Sequence, residues 1–197
     1  MSLTLYLIII TSAISVTAWS NPTMMRIGIL RPYYTVKNNE WHQLLTSGFL
    51  HANMTHLFVN MITFYFFGTV MEQELGVGLF AGLYFFSILF SSMPSVIFRK
   101  DDPDYATLGA SGGVEGVLFA FILLYPFRML YVFFAIPLPA IVFGGLFIAY
   151  SIYEGKQDRG QINHEAHIAG AVAGILYMLV MVPESFSIFM SQLGFTL

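Results

Sequence analysis

The chain has 197 residues, of which 57% are hydrophobic and 10% are charged, and its formal net charge is −3. Because ordinary soluble domains carry about 25% charged residues, this composition predicts an integral membrane protein. No basic stripe is present, so nothing indicates a nucleic-acid partner. The chain contains no cysteine, which excludes disulfides, thiol nucleophiles, zinc–thiolate sites and iron–sulfur clusters.

Six apolar segments approach the roughly 20 residues that a membrane-crossing helix needs. The first has no basic region before it of the kind that begins a signal peptide, so it is predicted to be an anchor helix that stays. The fifth contains Pro137 and Pro139, which are expected to kink it. The chain is interpreted as a single domain, residues 1–197, whose predicted spans are residues 3–19, 51–71, 76–98, 111–127, 129–153 and 165–182.

Residues 21–49 form a long mixed stretch between the first two spans. It is too polar to cross a membrane and too apolar to be disordered, which favours a compact loop with short amphipathic helices at the membrane interface. A second polar loop covers residues 154–163. The tail, residues 184–197, is expected to lie on the membrane surface.

Polar residues inside predicted spans are costly and are therefore candidates for function. Spans alternate in direction, so the starts of the second, fourth and sixth lie on the same side of the membrane. A nucleophile, a base and hydrogen-bond donors for an oxyanion are the groups that acyl transfer requires. These three starts carry His51, His56 and Asn60; Gly109, Ala110, Ser111 and Gly112; and His164, Glu165 and His167.

A structural interpretation of the same residues stays open. Gly-x-Ser-Gly in a membrane helix is typical of a small-residue packing surface, as is the four-residue spacing of Gly112 and Gly116 and of Gly170 and Gly174. The two interpretations reinforce each other, because helices with glycine faces can approach closely. Such an approach would bring a serine and a histidine within hydrogen-bond reach, about 2.6–3.2 Å.

These motifs resemble the rhomboid family of intramembrane serine proteases. The resemblance rests on HANMTHLFVN, on GASG, on AHIAG followed by Gly174, on LLTSGFLH, and on Gly68, Glu72 and Gly76. It covers nearly the whole chain and implies an all-α integral membrane protein of the minimal bacterial type, a six-helix bundle with a long structured first loop. It also implies the bacterial cytoplasmic membrane, with the active site facing outside.

The resemblance implies that Ser111 is the nucleophile and His167 the general base, as a dyad that requires no carboxylate. His56 and Asn60 would donate to the oxyanion, together with the backbone N–H of Ser111. The implied activity is cleavage of peptide bonds in transmembrane segments of other membrane proteins within the lipid bilayer, without metal or organic cofactor. Such substrates must unwind locally, because a membrane helix hides its carbonyls in its own hydrogen bonds.

Supporting roles are also implied. His51 would be structural and hold the first loop, and Gly109 would give the backbone freedom before the nucleophile. Gly112, Gly170 and Gly174 would support the approach of the two helices. The fifth helix and the loop at 154–163 would form the gate and cap through which substrate and water enter.

Glu115 departs from the family pattern, because the position four residues after the serine is often aromatic there. We hypothesise that Glu115, on the same helix face as Ser111, hydrogen-bonds His167 and orients it, as a carboxylate does in a soluble triad. Alternatively it pairs with His164 or Thr63, or is protonated.

Two further departures concern the first loop and the charges. His42 and Gln43 stand where the family commonly has an aromatic residue and an arginine, so a structural anchor is lost or replaced. The family topology also leaves only Arg128 inside, against the positive-inside rule. The basic residues it leaves outside are Arg26, Arg31, Lys37, Arg99, Lys100, Lys156 and Arg159.

Two other functions remain as alternatives. A catalytically silent relative that binds transmembrane clients would typically lack the serine or the histidine, and this chain has both. A small transporter or channel could use Glu115 and the histidines as a proton path. Against it, the polar residues cluster at one face, and inverted-repeat symmetry is absent.

Overall fold

The computed structural model describes residues 1–132, 135–157 and 163–195. Within these ranges the fold is mostly helical, with one small two-stranded sheet. The helices are α1 (Leu3–Trp19), α2 (Pro22–Gly28), α3 (Pro32–Lys37), α4 (Gln43–Thr46), α5 (Met54–Arg99), α6 (Ser111–Leu124), α7 (Ala140–Gln157), α8 (His164–Met181) and α9 (Glu184–Gln192), and the strands are β1 (Met129–Val132) and β2 (Ile136–Pro139).

The second and third predicted spans are the two limbs of α5, which has 46 residues and bends at Gly76. Gly76 has φ 72° and ψ 162°, a conformation that glycine adopts without steric cost. The first limb carries His56 and Asn60 of the HANMTHLFVN motif, and the second limb returns across the bundle. The glycine therefore reverses the chain without an intervening loop.

Helix α6 is the centre of the core. Every residue from Gly112 to Leu124 is buried, and the helix packs between α5 and α8. A helix that is apolar all round has no face to offer to water and is buried by its neighbours. The serine at the first position of this helix is thus held by the most enclosed element of the described chain.

The prediction of a helix beginning at Met129 was wrong. Residues 129–139 contain a β-hairpin in which Met129 pairs with Pro139 and Tyr131 with Pro137. The backbone N–H of Ala140 donates to the carbonyl of Arg128 at 2.9 Å, and hydrogen-bonded pairs alternate along an antiparallel ladder. Both prolines therefore occupy positions where no ladder N–H is needed. Pro139 ends the hairpin, and α7 begins at the next residue.

Glu72 ties α1 to the end of the first limb of α5. Its carboxylate accepts hydrogen bonds from the backbone N–H groups of Leu3, at 2.7 Å, and Thr4, at 2.8 Å, and from the Thr4 hydroxyl at 2.6 Å. The first N–H groups of a helix lack intrahelical partners and favour a negative charge. Gly68 leaves room for this contact, because a Cβ atom there would lie 2.9 Å from Cγ2 of Thr4.

In the described ranges, two helices, α5 and α8, are long and apolar enough by length and composition to cross a membrane. Helices α1, α6 and α7 are apolar but shorter. The first loop contains short helices, as predicted, namely α2, α3 and α4 followed by a single 3-10 turn. The tail forms α9, where Gln192 donates to the carbonyl of Leu124 at 2.6 Å. These features fit an all-α membrane fold.

Candidate active site

The three polar clusters meet in one cavity of about 800 Å³. It lies at the ends of the helices where α6 and α8 begin, and α5 and α7 also line it. The lining residues include the predicted site residues His56, Asn60, Gly109, Ser111, Gly112, Glu115 and His167. Residues that are more than 100 positions apart in the chain, such as His56 and His167, therefore line one cavity, as the expected alternation of span direction predicts.

Ser111 is the first residue of α6, and the backbone before it is shaped by Gly109. Gly109 has φ 131°, and a Cβ atom there would lie 2.9 Å from Cε1 of His56. Its N–H donates to the carbonyl of Ser47 at 3.0 Å. Both the φ angle of Gly109 and the lack of space for a Cβ atom favour glycine here, as expected for a residue in the backbone turn that leads to Ser111.

His51 holds the loop that precedes α5 against this turn. The N–H of Ala110 donates to Nε2 of His51 at 3.3 Å, and Nδ1 lies 3.0 Å from the Ser15 hydroxyl. The indole N–H of Trp19 donates to the carbonyl of His51 at 2.7 Å. These contacts join α1, the first loop and the start of α6, which agrees with a structural role.

Helices α6 and α8 touch through their glycines. A Cβ atom at Gly170 would lie 2.9 Å from Cα of Gly112, and one at Gly174 would lie 2.7 Å from Cα of Gly116. Any side chain at these positions would force the two backbones apart. Ser111 lies one residue before the first of these contacts, so the close approach keeps the start of α6 beside the first turns of α8, which carry His167.

His56 and Asn60 lie on one face of the first limb of α5. Asn53 caps this limb by accepting from the N–H of His56 at 2.9 Å. The amide of Asn60 donates to the carbonyl of His56 at 2.9 Å, and since an amide carries two N–H donors, one remains for the cavity. The ring of His56 packs edge-on against His51, with centroids 5.0 Å apart.

His167 packs against an aromatic residue that the sequence did not reveal. Its ring stacks on Phe147 of α7, with centroids 5.9 Å apart and an interplanar angle of 26°. The ring of His164 lies edge-on to the ring of His167, with centroids 5.9 Å apart. Phe147 thus supplies the aromatic contact that the family pattern suggested at position 115. No sequence signal marked it, because the start and register of α7 were unknown.

Glu115 is buried, and its Oε2 atom has no hydrogen-bond partner in the described part of the chain. It lines the same cavity as Ser111 and His167, but no hydrogen bond joins it to His167 there. The orienting role of Glu115 stays a prediction. Pairing with Thr63 or His164 is not observed either.

The anchor of the first loop is replaced by Gln43, whose side chain is fully buried. Its Oε1 accepts from the backbone N–H of Arg31 at 3.0 Å and from the Thr35 hydroxyl at 2.8 Å. Its amide nitrogen donates to Glu40 at 2.6 Å, and Glu40 also pairs with the Arg31 guanidinium at 3.4 Å. A glutamine in place of the family's arginine therefore still connects α3 and α4.

Comparison with known proteins gives a consistent family. The family model "Rhomboid domain" matches residues 38–184. The chain is 31% identical over 71% of its length to RHOMBOID-like protein 12, mitochondrial, of Arabidopsis thaliana. It is 32% identical over 50% of its length to Inactive RHOMBOID-like protein 8 of the same organism, and 31% identical over 47% to "Putative rhomboid protease YdcA" of Bacillus subtilis.

The chain covers less than half the length of each of these relatives, namely 46%, 28% and 46%. The match of the family model nevertheless extends from the first loop to the start of α9. It includes the four helices that line the cavity, α5, α6, α7 and α8, and it confirms the resemblance drawn from the motifs. The chain belongs to the rhomboid family.

Proposed function

We propose that this protein is an intramembrane serine endopeptidase that cleaves transmembrane segments of other membrane proteins with a Ser111–His167 dyad. The observation that carries the proposal is that one cavity is lined by Ser111 at the start of α6, by His167 on the glycine-packed α8, and by His56 and Asn60 on α5. Membership of the rhomboid family supports a protease-type function in general.

In the proposed reaction, His167 takes the proton of the Ser111 hydroxyl as Oγ attacks the substrate carbonyl carbon. The developing oxyanion accepts hydrogen bonds from His56, Asn60 and the N–H of Ser111. Protonated His167 then gives its proton to the leaving amine, and water hydrolyses the acyl-enzyme with the same histidine as base. The stack on Phe147 limits the rotation of the imidazole between these steps.

Access of the substrate is proposed to occur beside α7. This helix packs mainly against α8 and much less against α6, and its outward residues are exposed apolar side chains, among them Val142, Leu146 and Ile152. An element with few contacts opens at low cost. Of the loop at 154–163 that is proposed as the cap, residues 158–162 lie outside the described residues.

We infer six membrane spans, with the two limbs of α5 counted separately beside α1, α6, α7 and α8. The bend at Gly76 supports this count, because each limb is about as long as one span. The proposed location is a cytoplasmic membrane of bacterial type with the active site outside. The family itself is membrane-associated, and two of the three relatives described above come from a plant.

Covalent labelling of the detergent-purified protein with a serine-directed fluorophosphonate tests the dyad. The wild type should be labelled, and Ser111→Ala and His167→Ala should not. Ser187→Ala and His42→Ala are matched controls, because both side chains are exposed and lie outside the cavity. Both controls should be labelled like the wild type.

Absence of label on a folded wild type would contradict the proposal. It would favour a protein that binds transmembrane clients without cleaving them, in line with the relative that is named inactive. Label that persists in Ser111→Ala would place the reactive hydroxyl elsewhere and would equally overturn the assignment of the dyad.

A further inference from the structure

Three residues that line the cavity each have a buried polar atom without a hydrogen-bond partner in the described part of the chain. The atoms are Oε2 of Glu115 on α6, Oγ of Ser151 on α7 and Nδ1 of His164 on α8. The three residues are only 9%, 1% and 7% exposed. Buried polar groups are nearly always paired, so three unpaired ones from three helices around one cavity favour a partner that is not among the described residues.

Ring contacts bring α7 and α8 together at these residues. Tyr150 lies edge-on to His164, with ring centroids 5.6 Å apart. Phe147, one helical turn before Ser151, stacks on His167 at 5.9 Å. The face of α7 that carries Ser151 is therefore packed on the first turns of α8.

A second ring contact joins α7 to α6 on the same side. Phe119 of α6 contacts Phe147 at 6.1 Å, and Glu115 lies one turn closer to the start of α6 than Phe119. The start of α6 and the end of α7 both lie at the cavity. One helical turn closer to the cavity than the Phe119–Phe147 contact are Glu115 on α6 and Ser151 on α7. We call Glu115, Ser151 and His164 the Glu115 subsite.

The chemistry of the subsite favours a cation. Carboxylate and hydroxyl oxygens and an imidazole nitrogen can all accept hydrogen bonds, and an ammonium group offers three donors. Among the described residues that line the cavity there is no lysine or arginine, so these lining residues supply no ammonium or guanidinium partner. Hydrogen bonds from a charged donor to a carboxylate are about twice as strong as neutral ones.

We propose that the Glu115 subsite binds a basic side chain of the substrate. This inference rests on the proposed function for the path of the substrate, which must pass Ser111. Glu115 lies four residues along α6 from Ser111, about 6 Å along the helix axis, which a lysine side chain can span. The protein therefore prefers substrates with lysine or arginine within about two positions of the cleaved bond.

Binding is measured first, without cleavage. In the Ser111→Ala protein, fluorescent single-span peptides carry lysine or methionine at each of five positions around a central small residue. At one or more positions, the lysine peptide should bind about 10-fold more tightly than its methionine partner, the size of effect typical of one charge-assisted hydrogen bond. Adding Glu115→Gln should abolish this preference, whereas adding Glu165→Gln, an exposed carboxylate outside the cavity, should leave it intact.

Ser151→Ala provides a second variant should Glu115→Gln not fold, and it should reduce the same preference. Equal binding of lysine and methionine peptides at all five positions would overturn the proposal and would indicate that water alone pairs with the three atoms. A preference that survives both Glu115→Gln and Ser151→Ala would overturn it too.

Cleavage by the wild type separates this inference from the proposed function. Cleavage of lysine and methionine peptides at equal rates would leave the protease proposal standing and refute the subsite. Preferential binding that depends on Glu115, together with no cleavage by a folded wild type, would refute the protease proposal and leave the basic-residue subsite as part of a client-binding surface.

Discussion

Gly109, two residues before Ser111, has a φ of 131°, and because it has no side chain it leaves room for the imidazole of His56. Gly109→Ala should therefore cost about 1–3 kcal/mol of backbone strain and displace His56, a proposed oxyanion donor. Labelling of Ser111 by the serine-directed probe should slow about 100-fold, as expected for loss of one such donor. Gly78→Ala is the control, because nothing lies within 4 Å of a Cβ there; equal labelling of both variants would contradict the argument.

Gln43 provides a prediction about stability alone. Gln43→Ala would leave the N–H of Arg31 without its acceptor, whereas the Thr35 hydroxyl keeps the carbonyl of Arg31 at 3.0 Å. An unsatisfied buried group costs about 1–3 kcal/mol, so the variant should unfold at a lower temperature in detergent. The exposed Gln73→Ala is the matched control, and an unchanged unfolding temperature for Gln43→Ala would mean that the loop has another anchor.

At this scale, the sequence predicted Ser111, His167, His56 and Asn60 in one cavity because motif order and span direction suffice for that inference. It did not predict Phe147, since that contact depends on the rotation of α7 about its own axis. The sequence shows that Gln43 departs from the family pattern. That Gln43 still anchors the first loop depends on hydrogen bonds to residues up to 12 positions away. Such bonds are specified by the fold of the loop.

The contact of α6 with α8 is the element-scale feature on which the site depends. Gly174→Ala would place a methyl group 2.7 Å from Cα of Gly116, and overpacking of this kind typically costs 1–3 kcal/mol. We expect a lower unfolding temperature and slower labelling of Ser111. Gly145→Ala on α7, with nothing within 4 Å of the added Cβ, should behave like the wild type; a tolerant Gly174 would contradict the close contact.

The hairpin of β1 and β2 makes a prediction that a helix would not share. Pro137→Ala should change stability by less than about 0.5 kcal/mol, because position 137 needs no ladder N–H. Leu138→Pro should lower the unfolding temperature, because Leu138 pairs with Leu130 at a position where the ladder uses the N–H. Equal effects of the two substitutions would refute this register.

The hairpin also marks the limit of prediction for elements. Residues 129–153 form an uninterrupted apolar run, and composition alone cannot distinguish a strand from a helix in such a run. Pro137 and Pro139 were the available signal, but they were interpreted as a kink in a helix. Alternate spacing of two prolines fits a strand whose N–H groups are used at every second residue.

For the whole molecule, the charge distribution disagrees with the proposed orientation under the positive-inside rule. Three of the basic residues that the proposed orientation leaves outside contact aromatic rings. Arg31 lies over Tyr34, Lys37 over Tyr33 and Arg99 over Tyr105. Basic residues held in a structured loop are less typical of the short flexible loops on which the positive-inside rule is based.

Orientation can be measured with single cysteines, because the chain has none of its own. Asp104→Cys lies in the loop before Ser111, and Phe127→Cys lies beyond the opposite end of α6; both positions are exposed. In intact cells, a membrane-impermeant maleimide should label the first and not the second. The reverse pattern would place the active site inside, as the charges alone predict.

The length of α6 has a consequence for depth. Fourteen residues of helix extend about 21 Å, whereas the hydrocarbon layer is about 30 Å thick. If the end of α6 at Leu124 lies at one surface of that layer, Ser111 lies about 9 Å beneath the other. The Ser111 hydroxyl then lies at the base of a depression that is surrounded by longer helices. A thinner bilayer would shorten the distance from bulk water to this hydroxyl.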